Sequence, residues 1–376
     1  MTMSNESFVI KADGEETTDV YDELISLEVE LSDELPATFR MSIAMSTDPS
    51  SGTWRFQDEE RFRIWKQVDI AVGFVDSGPE DLFSGYITRV QPRYPQDDGQ
   101  CVLEIAGIDG SVLMDREEKL KDWPDKADSD IAREILGAYP LEANVDDTEI
   151  VHEEAASTVI QRETDLRFVQ RLARRNGFTF YVDGGTANFK RVDPQTLRHP
   201  ILAAHFGAET SLSSFRATVD ALRPARVSMF QLDHLSKEVL VAEVDSLESD
   251  PLGSLDAAAF LPPSFAGPST VYVANNAVTG RPEMDALCQH LFTEGAAFVT
   301  GEGDVDSSVY NHVLRPRGLV TIKGVGETYS GDYYVSFVRH TITRGGYSQL
   351  LRVTRNALLP TGDEEFSAGG GLGDLL

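Results

Sequence analysis

"LFSGYITRVQPRY", residues 82–94, alternates apolar with polar side chains, and "TYSGDYYVSFVRH", residues 328–340, has the same layout far along the chain. Phe83-Ser84-Gly85 answers to Tyr329-Ser330-Gly331. Each stretch follows an apolar run, "VDIAVGFV" at 68–75 and "LVTIKGVG" at 319–326. Each also precedes a turn and another run, "CVLEIAGID" at 101–109 and "QLLRVTRN" at 349–356. The spacing from Gly85 to Gly99 is 14 residues, and from Gly331 to Gly345 it is again 14. Alternation of period two marks half-buried strands, and recurrence of a whole strand–strand–turn–strand frame marks a duplicated unit. Chance likeness between two generic β-meanders is the alternative. Duplication predicts that Gly85 and Gly331 occupy equivalent structural turns. It also predicts that residues 87–90 overlay 333–337 and residues 102–105 overlay 350–353.

Working outward, residues 25–32, 37–45 and 67–75 join 82–94 and 100–109 as five strands with short connections, which suggests a small barrel. Two helices follow. Residues 127–139 offer Asp128 and Ser129 as caps, with Ile131, Ile135 and Leu136 on one face. In the stretch 162–185, Thr164 or Asp165 can cap a helix, Phe168, Val169 and Leu172 form its apolar stripe, and Gly177 sits where a left-handed C-terminal residue belongs. Phe178, Phe180 and Val182 then alternate along a strand that returns through Gly184-Gly185. The chain goes back to strands after residue 213, crosses a Pro/Gly/Ser/Ala-rich connection at 246–269, and forms a helix near 282–299. The expected class is α+β, mainly β: two similar small β-barrel domains with an inserted α/β domain. The expected division is a first barrel at 1–115, an insertion at 116–204, returning strands and linker at 205–270, a second barrel with one helix at 271–358, and a flexible tail at 359–376.

Charge narrows the function. The 376 residues carry 62 Asp+Glu against 33 Lys+Arg, a formal net charge of -29, and 8 of the 33 are lysine. Such a surface repels nucleic acid and anionic membranes, so sequence-specific nucleic-acid binding is not expected. The acidity fits a host in high salt, or a channel lining past which acidic cargo slides. No run of 18 apolar residues predicts a transmembrane segment, and the N-terminus lacks the pattern of a signal peptide. Cys101 and Cys288, the two cysteines, read as reduced buried thiols.

No catalytic, cofactor or metal pattern stands out: H-E-x-x-H, G-x-S-x-G, the P-loop and C-x-x-C are all missing. "GEGDVDS" at 301–307 reads as a surface turn, and His340 as a structural histidine in a strand. The anomaly is Arg167, Arg171, Arg174 and Arg175, at i, i+4, i+7 and i+8 on one helix face of an acidic protein. That face is a solvated one balanced by Glu163 and Asp165, an interface for an acidic neighbour, or a phosphate site.

Four segments in this order resemble the phage late control D family, the central baseplate hub of contractile tails, whose fold also forms the hub of type VI secretion spike proteins. They are "LFSGYITRV…LEIAGIDGSVLM", "SDIAREIL", "QRETDLRFVQRLARRNGFTFYVD" and "GLVTIKGVGETYSGDYYVSFVRHTIT…GYSQLLRVTRNAL", and the likeness spans residues 23–358. The resemblance implies a homotrimer whose six barrels adapt a sixfold tail tube to a threefold spike, with other baseplate proteins as further partners. It implies no enzyme activity and no cofactor, and a place in a virion baseplate or related injection particle assembled in the host cytoplasm. No spike-like repeat follows residue 358, so a separate spike protein is expected. The rival is a particle-borne carbohydrate- or cell-wall-degrading enzyme with a β-rich fold; an adhesin-like binding module is a third reading.

Net charge of -29 makes self-repulsion the term that salt should relieve. At molar salt the Debye length is about 3 Å, so thermal melts should shift upward between low and molar NaCl. A flat or falling midpoint would leave the channel-lining account of the acidity.

Overall fold

The computed structural model describes residues 2–362 and 364, apart from 4, 48, 49, 51, 155–157, 223–225, 234, 235, 249, 257, 258, 260–268, 275–277 and 279. Most of the expected C-terminal tail therefore lies outside the described residues. Six strands build the first barrel: β1 (Glu6–Ala12), β2 (Leu24–Ser32), β3 (Thr38–Ala44), β4 (Gln67–Phe74), β5 (Gly78–Arg93) and β6 (Val102–Asp109). Their spatial order is β1-β4-β5-β6-β3-β2. Alternate residues turn inward, so that Phe8, Ile10, Leu27, Val29, Phe39, Met41, Val68, Ile70, Leu103 and Ile105 fill one core. The five strands expected from the sequence do not include β1, whose residues Glu6, Phe8, Ile10 and Ala12 alternate inward.

An α/β unit follows, with β7 (Glu118–Trp123), α1 (Asp128–Leu136), β8 (Glu142–Val145), β9 (Val159–Thr164), α2 (Asp165–Arg175), β10 (Thr179–Asp183) and β11 (Thr186–Lys190). Its own core joins Ile131, Leu136, Phe168, Leu172, Phe180 and Phe189. The second barrel begins with β12 (Arg198–Ala203) and β13 (Leu212–Val219). It is then interrupted by β14 (Arg226–Leu232), β15 (Val239–Val244), β16 (Thr270–Val273) and α3 (Arg281–Ala296). It resumes with β17 (Val299–Asp306), β18 (Leu319–Lys323), β19 (Gly331–Thr343) and β20 (Gly346–Arg355). The helix expected in the second barrel thus belongs to the interruption, where Met284, Leu287 and Phe292 pack on Val227, Met229 and Ala242 of the small sheet.

Spatial order in the second barrel is β12-β18-β19-β20-β17-β13. Numbered along the chain, both barrels read first-fourth-fifth-sixth-third-second. The ladders agree residue by residue. Val68 faces Gly85 as Val320 faces Tyr333. Phe39 faces Gly107 as Gly301 faces Val353. β5 bulges after Ile87 and β19 after Val335; β2 bulges after Leu24 and β13 after Leu212. Even a rare backbone conformation repeats. Trp65 (φ 72) and Arg317 (φ 70) sit at matching positions before β4 and β18, and donate to Ile87 O and Val335 O respectively. One pairing differs: β1 runs antiparallel to β4, whereas β12 runs parallel to β18.

This matching corrects the expected register by two residues. Gly85 is equivalent to Tyr333, residues 87–90 to 335–338, and residues 102–105 to 348–351. A two-residue slip keeps every side chain on its own face, so alternation alone could not detect it. Neither glycine sits at a shared turn. Gly85 lies inside β5, where an added Cβ would fall 2.3 Å from Ile108 O. Gly331 opens β19 at φ 134, and an added Cβ would fall 2.6 Å from an Arg355 Nη. "GEGDVDS" is also corrected: residues 299–306 form β17 rather than a turn. Gly301 and Gly303 point inward beneath Phe215, Val353 and Leu351, while Glu302 points outward to Arg352.

Large and small residues exchange places between the barrels: Phe39 over Gly107 in one, Val353 over Gly301 in the other. An added Cβ at Gly107 would stand 2.2 Å from Tyr86 O and 2.4 Å from the Phe39 ring. Gly107→Ala should therefore destabilise by about 1–3 kcal/mol. Gly99→Ala, where the nearest atom is 3.5 Å away, should stay within about 0.5 kcal/mol. Urea melts of both variants measure the difference.

Candidate functional site

α2 starts where Thr164 Oγ1 accepts from Arg167 N. It ends in a left-handed Gly177 (φ 66), with Gly177 N donating to Arg174 O and Phe178 N to Ala173 O. This is the paired C-terminal cap that glycine permits. The four arginines do not form one free face. At about 100° per residue, Arg175 is the one nearest the Phe168–Leu172 stripe, and it turns inward. Its side chain is 14% exposed and forms a two-pronged ion pair with Asp128, whose side chain is 3% exposed. Arg175 Nε also lies 3.3 Å from Glu283 Oε1 on α3, so this guanidinium joins the α/β unit to the interrupting unit. Asn176 and His152 complete the Asp128 shell at 2.6 and 3.1 Å. Asp128, expected as a helix cap, is instead the buried acceptor for these groups, and Ala127 stands at the cap position.

The other three arginines stay at the surface with acidic partners. Arg171 donates to Glu163 at 2.7 Å and to Ile160 O at 3.0 Å. Arg167 lies 3.7 Å from Asp115, and Arg174 3.8 Å from Glu34 of the first barrel. This arrangement neutralises local carboxylates and leaves no cradle of unpaired cations for a phosphate.

The second feature is the joint between barrels. Residues 337–343 of β19 pair antiparallel with residues 26–32 of β2, which fuses both barrels into one 14-stranded sheet. Arg339 Nε donates to Glu30 across the ladder at 2.8 Å. Arg317 Nη1 donates to Ser32 O at 2.6 Å, and its guanidinium stacks 3.7 Å over Tyr181 of the α/β unit. Asp33 N donates to Ser336 O at 3.0 Å. A cleft of about 230 Å³ lies beside this joint, lined by Leu31, Phe83, Tyr181 and Arg317. A wider one, about 980 Å³, runs along β12. Two ion pairs lie in it, Arg198 with Asp332 and Lys323 with Glu209, both at 2.9 Å.

His340 is fully enclosed, its ring stacked on Tyr347 with Nδ1 2.8 Å from the phenol oxygen. Burial, with Arg315 nearby, pushes its pKa down to about 3, so it is neutral at pH 7. Among the described residues, no group of three or more His, Cys, Asp or Glu is placed to hold a metal, and no helix is long and apolar enough to cross a membrane. Cys101 and Cys288 are both buried and unbonded.

This duplicated-barrel fold is that of phage tail proteins. The 43 kDa tail protein of prophage MuSo2 from Shewanella oneidensis superposes with a TM-score of 0.68 at 13% identity, covering 94% of this chain and 99% of the other. A tail protein from Neisseria meningitidis gives 0.67 at 11% identity, covering 93% and 97%. A component of the E. coli type VI secretion system gives 0.55 at 13% identity, covering 89% and 73%. No curated protein sequence matches. The family described as the Alg8 N-terminal domain matches residues 2–344, and the chain belongs to it.

Burial acts to raise the Asp128 carboxyl, but His152 and Arg175 outweigh it and hold its pKa near 2, below the ordinary 3.8. A depressed carboxylate contributes stability above its unfolded pKa and loses it as pH falls through the folded one. That contribution should be present above about pH 4 and fade towards pH 2. Arg175→Ala removes the guanidinium that faces two buried carboxylates and should cost about 3–5 kcal/mol, while Arg171→Ala should cost about 0–1 kcal/mol. Urea melts at neutral pH would show whether the two arginines differ in this way.

Proposed function

We propose that this protein is a non-enzymatic structural hub of a contractile tail or related injection particle. The observation that supports it most is the pair of barrels with one strand order, fused edge to edge within a single chain. Three such chains closed head to tail present six similar barrels around threefold symmetry. A ring of that kind adapts a sixfold tail tube on one side to a threefold spike on the other. Its partners are two further copies of itself, the tail tube protein, a separate spike protein and other baseplate proteins. The particle would be assembled in the host cytoplasm.

The likeness to tail proteins over nearly the whole of both chains supports this reading. The inserted α/β unit takes the outside of the ring, where it leaves a central channel open. There Arg167, Arg171 and Arg174 would share their guanidinium groups between their local carboxylates and an acidic neighbour, and such complementarity sets register and partner choice more than affinity. A carbohydrate-degrading enzyme, the rival reading, gains no support from the wider cleft, where Arg198 and Lys323 are tied to Asp332 and Glu209 in local ion pairs.

Light scattering at molar NaCl, with and without tail tube protein from the same particle, tests the proposal. The expected mass is three times that of the chain, with the tube protein bound to the trimer. A monomer at every concentration that ignores the tube protein would overturn the hub reading.

A further inference from the structure

The joint between the barrels contains information about a second joint that one chain cannot make. In the first barrel β2 is the second strand along the chain; in the second barrel β19 is the fifth. Their pairing joins the second strand of one barrel to the far half of the fifth strand of the other. Each barrel also has the complementary element. β13 is the second strand of the second barrel, and among the described residues its ladder is with β17 alone. β5 is the fifth strand of the first barrel. β4 covers one side of it as far as Tyr86, and beyond Ile87 its ladder among the described residues is with β6 alone. Two matching edges are left open, and a sheet edge with unpaired N–H and C=O groups is a template for another strand.

We infer that β13 of one copy pairs antiparallel with residues 88–91 of β5 in the next copy, repeating between chains the ladder that β2 and β19 make within one. This rests on the ring reading and supplies its contact. The residue matching established for the two barrels fixes the register. Phe337↔Ser32 becomes Arg89↔Asp220, Val338↔Leu31 becomes Val90↔Val219, and Arg339↔Glu30 becomes Gln91↔Thr218.

The chemistry at those positions fits a second copy. Arg89 meets Asp220, an opposite-charge pair. Val90 meets Val219, which is 40% exposed in the isolated chain and matches Leu31, buried at 7% in the joint already formed. Trp65 holds the position of Arg317, the residue that reaches over the end of β2. It and its neighbour Ile64 are each 44% exposed, and the strand end due to arrive there carries Leu222, 89% exposed. Apolar side chains are thus exposed on both halves of the proposed contact. Pro92 limits the ladder. Proline has no N–H to donate and is tolerated on edge strands, so regular pairing ends at Gln91.

Gln91 and Thr218 match the surface pair Arg339 and Glu30, so cysteines there should not disturb the core. Gln91→Cys protein mixed with Thr218→Cys protein should form covalent dimers under mild oxidation, and the double variant should close into covalent trimers. Cross-strand partners bring Cα atoms within disulfide reach. Gln91→Cys with Arg216→Cys, two residues out of register, should stay uncrosslinked. If scattering shows trimers but the 91/218 pair does not close, the edge assignment is wrong and the ring reading stands. Closure of the 91/216 pair instead would overturn the register. Monomers without any cross-link would remove both the edge assignment and the ring.

Discussion

The pairing of residues 26–32 with residues 337–343 is the constraint from which the rest of the architecture follows. Main-chain donors and acceptors in a strand must be paired or left to water, and this ladder uses the edge of one barrel to satisfy the edge of the other. It also merges their interiors. Val313, Ile342 and Tyr347 from late in the chain lie in the core cluster of the first barrel. The two barrels are therefore held at one mutual angle by hydrogen bonds and by shared apolar packing. That rigidity is what the proposed ring would require for its six barrels to be evenly spaced.

Arginine, rather than lysine, secures the places where units meet. Arg175 bridges Asp128 on α1 and Glu283 on α3. Arg317 binds the end of β2 and covers Tyr181. Arg355, 1% exposed, donates to Leu252 O, Ser330 O and Leu359 O and lies against Gly331. A guanidinium serves here because its planar fork reaches several oxygens at once and is less strongly hydrated than an ammonium. In an acidic chain with few lysines, part of the scarce positive charge is spent inside, at joints. The basic face of α2 illustrates the point: the helix that looked like an exposed patch contributes one of its four arginines to a buried junction.

Several elements could be read from residue order because their cause is local. The caps of α2 at Thr164 and Gly177 depend on the chemistry of a few neighbouring residues. The alternating strands 67–74 and 102–109 bury one face and leave the other largely half-buried. β17 was unreadable for a related reason. Its inward positions 301 and 303 are glycines, so the alternation is present but its apolar signal is missing. Those glycines make sense only once Phe215 and Val353 are seen lying over them. The cap expected at Asp128 failed because Arg175, 47 residues away, bonds its carboxylate more strongly than a helix end would.

The amino-acid order alone determined that the chain is mainly β, that a helical unit interrupts it, and that a strand–strand–turn–strand frame occurs twice. Periodicity and turn chemistry act over a few residues and leave their mark in any window of sequence. Tertiary structure decided the register of the repeat, which the bulges after Ile87 and Val335 set two residues from the position suggested by the glycines. It decided which arginines stay at the surface, because burial depends on what packs against a helix and not on the helix itself. It also decided that the barrels share a sheet, since only the folded chain shows which edges have met and which are still open.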